Sequence, residues 1–331
     1  MAVIEELKDQ RDIDLLYVGS DNGVEKEMIE KIGVRYKGVK CGKLRRYFSW
    51  ENFVDLFKVP VGIWQSKRIL KNFGADVVFA KGGYVSVPVV IAAKKLRIPV
   101  ILHESDLSPG LANKICLKYA DKFCTSFEDT KSHVPKKHLN KVIYTGALVR
   151  NSLLSGDAEA GHKFSGLDHH RPVLLVMGGS QGAMQINDLL RASLSELLNK
   201  FQIVHIVGRG NIDIGIKKRG YVQYEFLEKQ MKDVYEMSKM VVTRGGANSL
   251  FELAILQKKA LIIPLGTDGS RGEQWQNAQA FANKIGWSVI GGEVTREQFI
   301  DAIKFTFKNE LALDSKMKNG VKKVVEIIMG I

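Results

Sequence analysis

Six short stretches of this sequence carry residue types that can do chemistry or bind a partner. Gly178-Gly179-Ser180-Gln181-Gly182-Ala183 follows an apolar run and opens a helical pattern. Glycines there let the backbone approach a ligand, and the free N–H groups at a helix start favour an anion. Ser180 adds a hydroxyl donor. A tight turn with no ligand would use the same glycines, so the stretch reads either as a phosphate site or as a plain strand–helix turn. Arg244-Gly245-Gly246-Ala247-Asn248-Ser249-Leu250-Phe251-Glu252 repeats the logic after another apolar run. Ser249 and Glu252 fall one turn apart on one side of a helix. A carboxylate there can accept two hydrogen bonds from a diol such as a ribose. The competing reading makes Asn248 or Ser249 the helix cap, with Glu252 in the first turn.

Arg271-Gly272-Glu273-Gln274-Trp275-Gln276-Asn277 gathers polar groups just past Pro264-Leu265-Gly266, as a ligand-facing edge or a polar helix start. In the first half, Lys81-Gly82-Gly83-Tyr84-Val85-Ser86-Val87-Pro88 and His103-Glu104-Ser105-Asp106 end two apolar runs. His103 has the chemistry of a general base, although a lone histidine at a strand end is more often a structural hydrogen-bonder. Lys43-Leu44-Arg45-Arg46-Tyr47-Phe48, with Trp50, Phe53, Phe57 and Trp64, interleaves cations with large apolar groups. Such a surface suits an anionic membrane or a nucleic acid, and a core with a solvated basic rim would read the same way. There is no Gly-x-x-x-x-Gly-Lys-Ser/Thr loop, no Gly-x-Gly-x-x-Gly and no His-Glu-x-x-His. Asp12-Ile13-Asp14 precedes a strand and reads as a turn, so no catalytic metal is expected.

The elements that must position these residues are legible as short, continuously apolar runs, the pattern of strands buried on both faces. The first half gives Ile13–Val18, Ala75–Ala80, Pro99–His103, Lys122–Ser126 and Val142–Gly146. The second gives Pro172–Met177, Gln202–Val207, Val222–Phe226, Met240–Thr243, Ala260–Leu265 and Trp287–Ile290. Helical stretches such as Pro88–Leu96, Asn187–Asn199 and Asn248–Leu256 alternate with them. Alternating β and α predicts α/β architecture: two doubly wound parallel-sheet domains, each with its ligand crevice at the carboxyl ends of its strands. The break falls near Arg150–His170. Met1–Gln10 reads as the tail of a helix, so the usual opening strand and Gly-rich turn have no counterpart.

The 331 residues favour two domains, and 45% hydrophobic with 26% charged is a globular balance. Three scattered cysteines, Cys41, Cys116 and Cys124, suggest reduced thiols in a cytoplasmic protein. No apolar run is long enough to span a bilayer and no secretory leader is visible. The net charge is +13, and residues 1–150 hold 26 basic against 17 acidic residues. That surplus implies an anionic partner: nucleic acid, phosphorylated substrate or acidic lipid.

Taken in order, Lys81-Gly-Gly-Tyr-Val-Ser, His103-Glu-Ser-Asp with Pro109-Gly-Leu-Ala-Asn113, Gly178-Gly-Ser-Gln-Gly-Ala183, Arg244-Gly-Gly-Ala and Gln274–Ala278 resemble the MurG family. These are the peripheral membrane N-acetylglucosaminyltransferases of peptidoglycan synthesis. The resemblance runs from about Val3 to the C-terminus. It implies a GT-B fold, two Rossmann-like domains facing across a cleft. The implied reaction moves N-acetylglucosamine from UDP-GlcNAc to the muramyl 4-hydroxyl of lipid I, giving lipid II with inversion and without a metal or other cofactor. By similarity, Glu252 holds the ribose, and Ala247, Asn248 and Ser249 line the diphosphate turn. Gln274 with Glu273 reads the sugar hydroxyls, Leu227 contacts the uracil, and Ser180 and Arg150 contact the diphosphate and the cleft.

Residues 150–314 are then the UDP-sugar donor domain. Residues 1–149, with a last helix over 315–331, form the acceptor domain, lying on the cytoplasmic side of an anionic cell membrane. Nucleic acid is not an implied partner. The family's usual catalytic base is a histidine that ends a Gly-rich turn before the first helix, and this chain begins inside that helix. The expectation is therefore a shortened start, with His103 and Asp106 as the remaining candidates for the base. The alternative is a catalytically impaired UDP-sugar binding protein of the same family.

Overall fold

The computed structural model describes residues 1–10, 12–21, 23, 25–42, 50–179, 182–266, 272–310 and 317–331, with the backbone alone for 50–58. The chain divides into two compact units, Met1–Leu148 with Asn319–Ile331, and Val149–Lys318.

In the first unit the chain runs α1 (Ala2–Lys8), β1 (Leu16–Ser20), α2 (Lys26–Lys31), β2 (Arg35–Val39), α3 (Trp50–Phe73), β3 (Val78–Ala80), α4 (Ser86–Lys95), β4 (Val100–Glu104), α5 (Leu111–Cys116), β5 (Lys122–Thr125) and β6 (Val142–Tyr144). Strands β3-β4-β5-β6 form one parallel sheet in that order. Its strands alternate between two buried faces. Val100, Leu102 and Phe123 face a core with Val89, Val90, Ala92 and Leu117, while Ile101 and Cys124 face Val3 and Leu7 of α1 on the other side.

Strand β2 was not expected. Its burial alternates only weakly, and Arg35 and Lys37 disguise it within a basic stretch. It exists by parallel pairing with β1, residue for residue from Leu16↔Arg35 to Ser20↔Val39. The two make their own sheet, separate from β3–β6 among the described residues.

The second unit contains α6 (Ala158–Ser165), β7 (Val173–Met177), α7 (Met184–Leu197), β8 (Gln202–Ile206), β9 (Tyr221–Tyr224), α8 (Met231–Met237), β10 (Ser238–Thr243), α9 (Ala247–Ile255), β11 (Lys259–Ile262), α10 (Glu273–Ile285), β12 (Ser288–Val289) and α11 (Arg296–Lys308). The described strands form a parallel sheet of order β12-β11-β10-β7-β8-β9. The chain winds outward from β7 in one direction and then from β10 in the other. The crevice at the carboxyl ends of β7 and β10 is therefore the topological switch point, where such sheets bind ligands. Leu174 and Val176 of β7 pack with Ile186, Leu190 and Leu194 of α7 and Phe299 and Ile303 of α11.

The last helix, α12 (Val321–Met329), returns to the first unit and packs Val324, Val325 and Ile328 with Val3 and Leu7. It starts later than the expected Ser315, which lies outside the described residues. Asn319 first makes a parallel bridge to Ala147, and Gly320 N–H donates to Ala147 O at 2.6 Å. A Cβ on Gly320 would stand 2.5 Å from Thr145 O, so only glycine lets the helix begin there.

Lys43–Phe48 of the basic–aromatic stretch also lie outside the described residues, as do the side chains of Trp50, Phe53 and Phe57. Trp64 is exposed, which removes it from the core reading. No helix among the described residues is long and apolar enough to cross a membrane.

Candidate functional site

Three β–α turns meet at the switch point of the second unit. In the turn after β7, Gly179 and Gly182 have φ of 89° and 78°, the left-handed region that side chains resist. A Cβ on Gly182 would also stand 2.2 Å from Val207 O. The N-cap of α7 is Ala183, with no side-chain cap bond, so the first N–H groups of the helix keep the anion-binding potential inferred from the sequence. Ser180 and Gln181 lie outside the described residues.

The turn after β10 settles one alternative. The N-cap of α9 is Gly246, with no side-chain cap bond. Ala247, Asn248 and Ser249 are thus the first three helical residues, and neither Asn248 nor Ser249 is the cap. Ala247 is buried, Asn248 exposed, and Ser249 and Glu252 half-buried. The Tyr235 hydroxyl on α8 donates to Glu252 Oε2 at 3.2 Å. The positive charge of Arg150 also acts on Tyr235, so Arg150, Tyr235 and Glu252 share one electrostatic neighbourhood.

Two residues tie these turns to the third, after β11. Arg244 donates to Gln185 Oε1 of α7 at 3.1 Å and to the carbonyls of Ile263 and Pro264 at 3.2 and 3.3 Å. One guanidinium thus spans the starts of α7, α9 and the β11–α10 loop. Burial holds its pKa below the ordinary arginine value. Gln274 Oε1 accepts from Leu265 N–H at 3.1 Å, and a Cβ on Gly245 would meet Gln274 O at 2.3 Å. Glu273 and Gln274 open α10 directly after Gly272, whose φ is 76°. Arg271 lies outside the described residues. Leu227 is buried just past β9, at the far end of the same sheet.

Beneath the Gly178–Ala183 turn lies a polar chain that the sequence reading missed. Tyr221 O–H pairs with His205 Nδ1 at 2.8 Å, and His205 Nε2 with Asn187 Oδ1 at 3.0 Å. Asn187 Nδ2 donates to Val207 O at 3.0 Å, the carbonyl against which Gly182 is packed. Since the Asn187 amide nitrogen faces that carbonyl, its oxygen faces His205, and Nε2 carries the proton. Burial pushes the His205 pKa down to about 3. The signal for this chain was a polar alternation, His205 on β8 and Asn187 on α7, inside otherwise apolar elements.

In the first unit, His103 is fully buried, with Nε2 3.5 Å from Ser126 Oγ. Burial, with Lys81 nearby, drives its pKa well below 6.5. An enclosed ring of this kind suits a structural hydrogen-bonder better than a general base. Asp106 is half-exposed in the β4–α5 loop.

The residue that shapes this loop is Glu104, also missed. Its Oε1 accepts from Ser105 and Asp106 N–H at 2.9 and 3.0 Å, and its Oε2 from Gly110 N–H and Asn113 Nδ2, both at 2.9 Å. Asn113 in turn donates to His103 O at 3.0 Å and abuts Gly82, whose φ of 85° opens the β3–α4 turn.

The glycosyltransferase family 28 N-terminal domain matches residues 1–125, and the family 28 C-terminal domain matches residues 173–329. The UDP-N-acetylglucosamine–N-acetylmuramyl-(pentapeptide) pyrophosphoryl-undecaprenol N-acetylglucosamine transferase of Geobacillus thermodenitrificans is 46% identical over 94% of this chain and 87% of its own length. The transferase of the same name from Lachnoclostridium phytofermentans is 42% identical over 99% of this chain and 93% of its own length. The crystal structure of Acinetobacter baumannii MurG aligns over 100% of this chain and 94% of that one, with a TM-score of 0.73 at 21% identity, a likeness of fold. Two parallel-sheet units of this kind, with these relatives, give the GT-B fold, and the chain belongs to glycosyltransferase family 28, among its MurG transferases.

Proposed function

We propose that this chain moves N-acetylglucosamine from UDP-GlcNAc to the muramyl 4-hydroxyl of undecaprenyl-diphosphate-linked lipid I, with inversion, giving lipid II for peptidoglycan. Relatives 42% and 46% identical across nearly the whole chain favour a hexosyltransferase over a binding protein without turnover. The observation that carries the donor assignment is the gathering of the β7, β10 and β11 turns at one switch point. Residues 150–314 are read as the donor domain. Glu252 accepts the ribose hydroxyls, Ala247, Asn248 and Ser249 offer the start of α9 to the diphosphate, and Glu273 and Gln274 read the sugar. Leu227 packs on the uracil, and Ser180 and Arg150 complete the diphosphate contacts. The first unit takes the acceptor and rests on the cytoplasmic face of an anionic membrane.

Transfer requires the muramyl oxygen to attack C1 of the sugar as the C1–O bond to UDP breaks. The hydroxyl proton passes to a base, and charge builds on the departing diphosphate. The uncapped starts of α7 and α9, with the Arg150 cation, suit that developing charge. For the base, half-exposed Asp106 is better placed than buried His103.

The test is transfer of radiolabelled N-acetylglucosamine from UDP-GlcNAc to a lipid I analogue, with donor binding followed in parallel. Binding with transfer is the expected result. Binding without transfer would favour the impaired binding protein, and no binding would remove the donor site.

A further inference from the structure

We propose that Tyr235 is a positioning residue for the donor, its hydroxyl holding the Glu252 carboxylate in the orientation that receives the ribose diol. The inference rests on the reading of Glu252 as the ribose acceptor.

Tyr235 is 1% exposed and stands among the largest fully buried side chains of the protein. A buried phenol needs a partner for its O–H. This one reaches out of the core from α8 to Glu252 Oε2 on α9, at 3.2 Å, with Met177 Sδ at the end of β7 3.8 Å away. The bond therefore joins two helices over the end of the first strand of the switch point. Burial and the neighbouring carboxylate raise the phenol pKa well above 10, so the hydroxyl remains a donor throughout the working range of an enzyme.

A glutamate has three side-chain torsions to fix before it can grip two adjacent hydroxyls. A carboxylate offers about four acceptor positions, and the tyrosine occupies one of them on Oε2. The plane of the carboxylate is then set by the protein, not by the ligand. Preorganisation of this kind lowers the ordering cost of binding without adding a contact to the ligand. A merely structural Tyr235 would support the fold but would be indifferent to the ribose.

The experiment compares affinities for UDP and 2′-deoxy-UDP by calorimetry in the wild-type chain and in Tyr235→Phe, Glu252→Ala and the double variant. Wild type is expected to prefer UDP. Glu252→Ala is expected to lose that preference; a preserved preference would sink the reading of Glu252 and with it the basis of the proposal. Tyr235→Phe keeps the ring and removes only the hydroxyl. It is expected to weaken UDP binding about five-fold, the size of one hydrogen bond, and to weaken 2′-deoxy-UDP less, because that ligand offers Glu252 one hydroxyl in place of two. In the double variant the tyrosine substitution should add nothing further to the loss of preference. Equal weakening of both ligands, or no weakening of either, in a chain where Glu252→Ala does abolish the preference, would overturn the role of Tyr235 alone. The ratio of the two affinities cancels the folded fraction, so a lower melting temperature in Tyr235→Phe does not blur the outcome.

Discussion

Both nitrogens of the His205 ring are engaged, one accepting from Tyr221 and the other donating to Asn187. Protonation would convert the accepting nitrogen into a second donor facing a hydroxyl, inside the sheet. The folded chain therefore resists the proton down to about pH 3, while the unfolded chain takes it up near 6.5. The unfolded state binds more protons between those values, so stability is full above about pH 6.5 and falls as pH drops through the window, by roughly 1.4 kcal/mol per unit for one such group. Buried His103 adds to the same slope. Urea midpoints should be nearly level from pH 7.5 to about 6.5 and fall from there to pH 5, and His205→Gln should be less stable at pH 7.5 but shallower in its pH dependence. An equally steep variant would show that His205 is not the source.

The carbonyl at the end of that chain makes a second prediction. Gly182→Ala would force a Cβ against Val207 O from a left-handed backbone, and should cost about 1–3 kcal/mol with loss of donor affinity. Denaturant midpoints and UDP binding check it. The glycines themselves were legible in the sequence as a turn. Their partner, Val207 O, was not, because it belongs to a strand end some twenty-five residues away.

Among the elements, most strands lay open in the sequence because strands buried on both faces must be apolar runs. Strand β2 did not, since Arg35-Tyr-Lys-Gly-Val39 gains strand character only by pairing with β1. The β4–α5 loop shows the same limit. His103-Glu104-Ser105-Asp106 suggested chemistry by composition, but the structure gives Glu104 four N–H donors and a place under the loop. It is a template that folds residues 105–110 around one carboxylate. Hydrogen bonds to a carboxylate are worth more than those to a neutral acceptor, roughly 1.5–3 kcal/mol each. Glu104→Gln keeps the shape but turns one acceptor oxygen into a donor that faces N–H groups. It should lower the melting temperature and raise KM for the lipid acceptor more than for UDP-GlcNAc. An equal rise in both would show that the loop serves the fold alone.

At the scale of the whole molecule, the two units have separate cores, and this separates what can be measured on each. Leu174, Ile186, Leu190 and Phe299 belong to the second unit's core, and Val100, Leu102 and Phe123 to the first's. All three cysteines lie in the first unit, and Cys116 and Cys124 are buried, with burial pushing their thiols up to about 12 and about 11. Their reaction with a thiol reagent therefore reports opening of the first unit. UDP read as a ligand of the second unit should stabilise that unit by mass action, about 2.7 kcal/mol at one hundred times its dissociation constant. Heating with and without UDP, followed by circular dichroism and by thiol labelling together, should then give a ligand-dependent shift in the spectroscopic transition. The temperature at which Cys116 and Cys124 become reactive should move little. If labelling shifts as far as the dichroism, the two units unfold as one, and the binding energy of UDP is shared by the first unit. If neither shifts, the three turns at the switch point of the second unit do not hold UDP.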